Sequence, residues 1–273
     1  MPPLHPHGFA SLPAMLAAAA EAYGDGPALR IARGETSVVT SYASMGERVR
    51  NIAAGLVAAG IEPGDRVALF SPNCPEWTIA DHAILAAGAI TVPIYATSTP
   101  AQARHILGHS GAKAAFVGSI REWEHVAGIL PQLPELRQVY QLVTDADDSA
   151  AARGCGSLSD LEDGKFREHA DEVRARSAAL TRNDLCGIVY TSGTTGEPKG
   201  VMLTHGNLLY VVESVIDAFP IVPGTRNMCF LPLSHAYERA WYGIVLAGGL
   251  ENAYVTDAKN VGTQMKQIQA QTF

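Results

Sequence analysis

A chain of 273 residues, 47% hydrophobic and 17% charged, carries enough apolar surface for a large core, which sets aside the disordered and low-complexity classes. Its formal net charge of -7, with Lys and Arg scattered rather than blocked, sets aside a surface for nucleic-acid backbone. The four cysteines, Cys74, Cys155, Cys186 and Cys229, form no CxxC pair, so free thiols in a reducing cytosol are expected rather than a zinc knuckle or a disulfide framework.

Residues 11–20 are apolar, but no Lys or Arg precedes them, Pro13 interrupts them and Glu21 follows. They read as a first amphipathic helix rather than a secretion signal. No apolar run reaches the roughly 20 residues that span a bilayer, so the expectation is a cytoplasmic protein whose membrane association, if any, is peripheral on the inner face. Strands are then predicted at 66–70, 89–94, 114–117 and 138–143, alternating with helices at 74–88, 100–110 and 122–130. This rhythm predicts an α/β fold with mostly parallel sheets flanked by helices.

Residues 145–156, rich in acids, alanine and glycine, are expected to form a surface loop. A charged helix is predicted over 159–179, with Leu161, Phe166, Val173 and Leu180 facing inward. A strand at 185–191 leads into a Gly/Thr-rich segment, Thr204 caps a helix reaching Ala218, and a last helix spans 261–270.

The segment 190–200 reads Tyr-Thr-Ser-Gly-Thr-Thr-Gly-Glu-Pro-Lys-Gly. Its glycines allow the backbone to fold into a concave nest of N–H groups around an anion, while Thr191, Ser192, Thr194 and Thr195 add short donors. Lys199 supplies a positive charge and Pro198 stiffens the exit. A Walker A loop is excluded, because Lys199 is followed by Gly200 and Val201 rather than Ser or Thr. His105 and His109 stand four apart on a predicted helix, a spacing used by zinc sites, but no third ligand accompanies them, so no metal site is expected.

The segment 190–200 resembles, nearly letter for letter, the phosphate-binding signature of the adenylate-forming (AMP-binding) superfamily. The resemblance extends to Ser41-Tyr42, Gly-Asp-Arg-Val-Ala at 64–68, Pro72-Asn73 with Pro75, Glu76 and Trp77, Gly88-Ala89 with Val92-Pro93, and the seven residues from Val201 to Asn207. Tyr-Ala-Thr-Ser at 95–98, His-Ser-Gly-Ala-Lys at 109–113 and Leu-Pro-Leu-Ser-His-Ala-Tyr-Glu-Arg at 231–239 resemble the long-chain fatty acyl-CoA synthetase branch.

That resemblance implies a ligase that joins a fatty acid to AMP with release of pyrophosphate, then passes the acyl group to the thiol of CoA; the alternatives are a non-catalytic remnant acting as a nucleotide- or acyl-binding module, or an adenylating enzyme for another carboxylate. It implies that Thr191, Ser192, Gly193, Thr194, Thr195, Gly196 and Lys199 hold the phosphates of ATP, and that His235 lies by the acyl and carboxylate pocket. ATP with Mg2+, CoA and a fatty acid are the implied partners. Glu238 and Arg239 are read as structural, pairing with each other or capping the following helix.

The family's magnesium-binding acid, its ribose-gripping acid and its adenylation lysine match nothing in these residues. The chain is therefore expected to be an incomplete amino-terminal AMP-binding domain, with a first α/β subdomain at 8–180 and the start of a second at 181–273. The mobile carboxy-terminal domain is likewise expected to be absent, with a complementing half as the expected source of the remaining catalytic groups.

Overall fold

The computed structural model describes residues 3–5, 7–33, 36–143, 154–191, 197–255 and 261–272. Apolar runs without alternation set its main sheet. In β3 (Arg66–Phe70), Val67 and Leu69 enter the core on one face while Ala68 and Phe70 enter it on the other. The same holds for β5 (Ala114–Val117). A strand buried on both faces needs helices above and below it.

Those helices are α1 (Leu12–Tyr23), α2 (Tyr42–Ala58) and α3 (Pro75–Ala86) on one side, and α4 (Pro100–Ser110) and α5 (Ile120–Ala127) on the other. The sheet has seven strands in the order β7-β6-β5-β3-β4-β8-β9. Here β4 is Ile90–Ile94, β6 is Gln138–Gln141, β7 is Gly156–Ser157, β8 is Leu185–Thr191 and β9 is Lys199–Thr204. All neighbours are parallel except β9, which runs antiparallel to β8. This is the mostly parallel, helix-flanked α/β fold expected from the sequence.

A second sheet has the order β10-β11-β1-β2, built from Arg226–Cys229, Glu251–Tyr254, Pro27–Arg33 and Thr36–Ser41. Its core residues Leu29 and Tyr254 share one cluster with Leu69 of the first sheet and with α8 (His205–Ala218) and α9 (Ala236–Gly248). The sheets therefore do not divide the chain at residue 180. β8 and β9 complete the first sheet, and β1 and β2 belong to the second.

Caps fix the helix starts. Thr204 Oγ1 accepts from the Asn207 N–H at 3.2 Å and Asn207 Oδ1 accepts from the Thr204 N–H at 2.9 Å, a reciprocal cap contributing about 1 kcal/mol. The charged helix expected over 159–179 is interrupted. α6 (Leu158–Glu162) ends at Asp163, Gly164 takes φ 75°, and α7 starts afresh over Ala170–Ala179. A left-handed glycine cannot continue a right-handed helix. Leu161 and Val173 are nonetheless buried, and Phe166 and Leu180 are half-buried. Of the expected loop at 145–156, residues 145–153 lie outside the described residues, and Gly156 pairs with Tyr140 in β7. The last helix, α10, spans Val261–Ile268.

At the outer margin of the first sheet, β9 leaves Val201 and Met202 exposed, beside Tyr210 and Val211 of α8. Among the described residues, no helix is long and apolar enough to cross a membrane.

Candidate functional site

β8 and β9 form a hairpin whose last rung pairs Thr191 with Lys199, both exposed. Ser192, Gly193, Thr194, Thr195 and Gly196, the remaining expected phosphate ligands, lie outside the described residues. Gly200 has a packing role instead. A Cβ there would come within 2.7 Å of Ile188 Cγ2 and 3.3 Å of the Tyr190 ring, so the glycine lets β9 lie close against β8.

Beside the hairpin lies a cleft of about 540 Å3 bounded by Tyr95, Ser98, Tyr190, Thr191, Pro198 and His235. It opens beyond the carboxyl ends of β4 and β8, the usual place for a ligand crevice in an open α/β sheet. These two strands pair at Thr91 and Gly187, and Pro93, which has no N–H to donate, falls just past that point. The structure thus brings Thr191 and His235 onto one cleft, whereas Lys199 does not line it. A more apolar cavity of about 520 Å3, between α1, α2 and α7, holds none of the expected site residues.

His235 is the N-cap of α9. Its Nδ1 accepts from the Tyr237 N–H at 3.2 Å, and the ring is exposed. The loop before it is held by Asn73, which sequence reasoning quoted without a role. Asn73 Nδ2 donates to the Leu231 carbonyl at 2.6 Å, and its Oδ1 accepts from the Leu233 N–H at 2.9 Å. Two segments of the family pattern, some 160 residues apart, meet in this bracket.

Beneath the cleft is a buried polar layer. Arg239 does not pair with Glu238. Its Nε and Nη2 reach Asp81 Oδ2 and Oδ1 at 3.0 and 2.7 Å, and Nη2 also donates to the Cys186 carbonyl at 3.0 Å. Thr91 Oγ1 completes the set, donating to Asp81 Oδ1 at 2.6 Å. Gly187 makes room for the guanidinium, because a Cβ there would lie 2.1 Å from Arg239 Nη1. Glu238 is buried in the first turn of α9, where desolvation pushes its carboxyl up to about 7.

His82 and His205 are also buried, and desolvation pushes both down to about 4. His205 Nδ1 accepts from the Leu12 N–H at 3.2 Å, whereas neither ring nitrogen of His82 has a partner. All four cysteines are buried free thiols, and burial raises Cys74 and Cys155 to about 12, so none is poised as a nucleophile. Among the described residues, no group of three or more His, Cys, Asp or Glu is gathered to hold a metal.

Sheet order and cleft are those of an open, mostly parallel α/β sheet with a crevice at its strand ends. The family model described as "AMP-binding enzyme" matches residues 16–272. The chain belongs to the AMP-binding enzyme family. It is 36% identical over 221 residues to the long-chain-fatty-acid–CoA ligase FadD15 of Mycobacterium bovis, a match covering 80% of this chain and 36% of that protein. It is 28% identical over 268 residues to the long-chain-fatty-acid–[acyl-carrier-protein] ligase AEE15 of Arabidopsis thaliana, covering 95% of this chain and 37% of that one.

Among solved structures, the long-chain-fatty-acid–CoA ligase FadD1 of Archaeoglobus fulgidus superposes with a TM-score of 0.75 at 23% identity, covering 96% of this chain and 50% of its own. The chain therefore spans little more than a third of the length of these curated relatives.

Proposed function

We propose that the chain forms the pyrophosphate side and part of the carboxylate pocket of a long-chain fatty acid:CoA ligase. In that reaction a fatty carboxylate attacks the α-phosphate of ATP, the bond to pyrophosphate breaks, and CoA thiol then displaces AMP from the acyl-AMP. The observation that carries this reading is the shared cleft, with Thr191 at the end of β8 on one wall and His235 at the start of α9 on another. No protein nucleophile is required; positioning and neutralisation of phosphate charge supply the catalysis.

In this reading Thr191, Ser192, Gly193, Thr194, Thr195, Gly196 and Lys199 hold the β- and γ-phosphates and the departing pyrophosphate, and His235 borders the acyl carboxylate. The segment fits such a group chemically: Thr191 and Lys199, a hydroxyl donor and a cation, face each other where the hairpin opens. Magnesium would be held by an acid outside these residues, and the chain alone would not complete the reaction without a complementing carboxy-terminal segment. The name of the Arabidopsis relative favours a second reading for the acceptor only, a carrier-protein thiol in place of CoA.

An ATP–pyrophosphate exchange assay with a long-chain fatty acid tests both parts of the reading. The expected result is background exchange by the 273-residue chain and restored exchange when a relative's carboxy-terminal portion is fused to it. Robust exchange by the chain alone would overturn its incompleteness. A fused protein that exchanges only with aryl or amino acids would overturn the fatty-acid assignment.

A further inference from the structure

The apolar cavity between α1, α2 and α7 takes no part in the proposed reaction, yet its walls have a definite chemistry. Its volume of about 520 Å3 falls inside the roughly 300–1,000 Å3 of small-molecule sites. The walls are built from short side chains: Ala17 on α1, Gly46 and Ala54 on α2, Ala170 and Ala178 on α7. Small residues on three facing helices leave a space that larger aliphatic side chains would close. No aromatic ring lines it, so nothing there stacks on a planar ligand. Such walls suit a flexible methylene chain.

The charge of the lining is one-sided. Arg50, Arg167 and Arg174 border the cavity and no acid does, although the chain as a whole carries -7. Arg174 pairs with Asp171 on its own helix, and the next acid of that helix, Glu172, pairs with Arg176. Arg50 and Arg167 have no hydrogen-bond or ion-pair partner among the described residues. Each guanidinium lies over a glycine that leaves it room. A Cβ on Gly46 would come within 3.4 Å of Arg50 Nη1, and one on Gly164 within 3.2 Å of Arg167 Nε. Helix α7 is pinned at its far end, where Arg176 Nη1 donates to the Ile61 carbonyl at 2.6 Å and Ser177 Oγ to the Ala86 carbonyl at 2.9 Å. Of its own residues only Val173 is buried, so its inner face lacks cover along the cavity.

We infer that this cavity is a second lipid site, which takes one long-chain fatty acid with its hydrocarbon between α1, α2 and α7 and its carboxylate at Arg50 and Arg167. A guanidinium meets a carboxylate through two parallel N–H···O bonds, and each methylene withdrawn from water adds to affinity. The complementarity is specific on both counts. A fatty acid brings one chain and one negative charge, whereas a membrane lipid brings two chains, for which the volume leaves no room. None of the lining residues borders the cleft of Thr191 and His235, so the inference stands whether or not that cleft takes an acyl group.

The test photolabels the 273-residue chain with a sixteen-carbon fatty acid carrying a diazirine at its methyl end, and maps the modified residues by peptide mass spectrometry. Labels are expected on α1, α2 and α7, and unlabelled hexadecanoate should compete them away about tenfold better than hexadecanol. Arg50→Ala combined with Arg167→Ala should weaken labelling of these helices about tenfold and leave any labelling of the cleft unchanged. Ala17→Trp and, separately, Ala178→Trp should abolish it by filling the cavity. Both alanines are exposed, so each ring enters from the solvent side, and circular dichroism verifies the fold of every variant.

Labelling confined to the cleft would overturn the inference, as would labelling of the three helices that persists in both folded tryptophan variants. Equal competition by hexadecanol, or labelling that the double arginine variant leaves unchanged, would overturn the carboxylate contact and with it the assignment to a fatty acid. Competition by vesicles of an anionic two-chain lipid, with none by hexadecanoate, would assign the cavity to a membrane surface instead and overturn the single-chain reading.

Discussion

Arg239 and Asp81, 158 positions apart, form a two-pronged buried ion pair that joins α9 to α3 under the cleft. The pair is embedded in a set that includes Thr91 on β4 and the Cys186 carbonyl on β8, so it fixes the two strands whose ends form the cleft. Removing one partner leaves the other charged and dry. Asp81→Asn should therefore lower the free energy of unfolding by about 3–5 kcal/mol, read from urea denaturation. Gly187→Ala should destabilise comparably, because the new Cβ strikes the same guanidinium. A loss under about 1 kcal/mol for either variant would show that the layer relaxes freely.

The buried acid and the buried histidines pull stability in opposite directions with pH. Glu238, pushed up to about 7 from a free value of 4.5, keeps a proton in the folded state that the unfolded chain releases. Its contribution is full below pH 4.5 and is lost as pH rises through about 7. His82 and His205, pushed down to about 4 from 6.5, stay neutral when folded and bind protons on unfolding. Their contribution is present above pH 6.5 and is lost as pH falls through about 4. In thermal melts across pH 4–9, Glu238→Gln should raise Tm selectively above pH 7. His82→Leu should flatten the acid side, because it removes a ring whose two nitrogens have no partner. Parallel Tm curves for the variants and wild type would contradict both assignments.

Asn73 acts on the cleft by holding the backbone of the loop that ends at His235. Asn73→Ala removes both hydrogen bonds of the bracket, at a cost of about 1–2 kcal/mol in stability. If the cleft takes a fatty carboxylate as proposed, binding of a fluorescent fatty acid to the folded variant should weaken as well, since His235 is no longer held in place. Equal affinity in a folded variant would separate the bracket from the pocket.

The central parallel strands β3 and β5 were legible because each is buried on both faces and reads as an apolar run: Val67 to Phe70, Ala114 to Val117. The second sheet was harder to read. β1 finds its partner β11 more than two hundred residues later, and β2 turns Val38 and Val39 outward, so no local pattern marks the pair. β11 begins with Glu251 and Asn252, polar residues that a buried strand ordinarily excludes. Glu251 is tolerated because Arg30 and Arg226 each approach one of its oxygens at 2.6 Å, and Asn252 because Asn227 Nδ2 donates to it at 2.6 Å.

Around the cleft, residue chemistry singled out Thr191, which lines it, and Lys199, which does not, while His235 was singled out only through family resemblance. Tyr95, Ser98 and Asn73 stood in the sequence only as letters of the family pattern, since their places at the cleft and in the bracket depend on distant segments meeting. His105 and His109 stood out by their spacing, and both rings lie against the hairpin, His105 at the Pro198 carbonyl and His109 at the Tyr190 hydroxyl.

The exposed Val201 and Met202 on β9 have a practical consequence for anyone handling the protein. A strand that, among the described residues, has one side of its backbone unpaired and apolar side chains in water offers a template on which another molecule can dock strand to strand. Solutions of this chain should accordingly show turbidity that grows with concentration and with sulfate, and Met202→Lys should suppress it without shifting Tm. Light scattering on the two proteins side by side decides the matter, and equal scattering would place the stickiness on some other face.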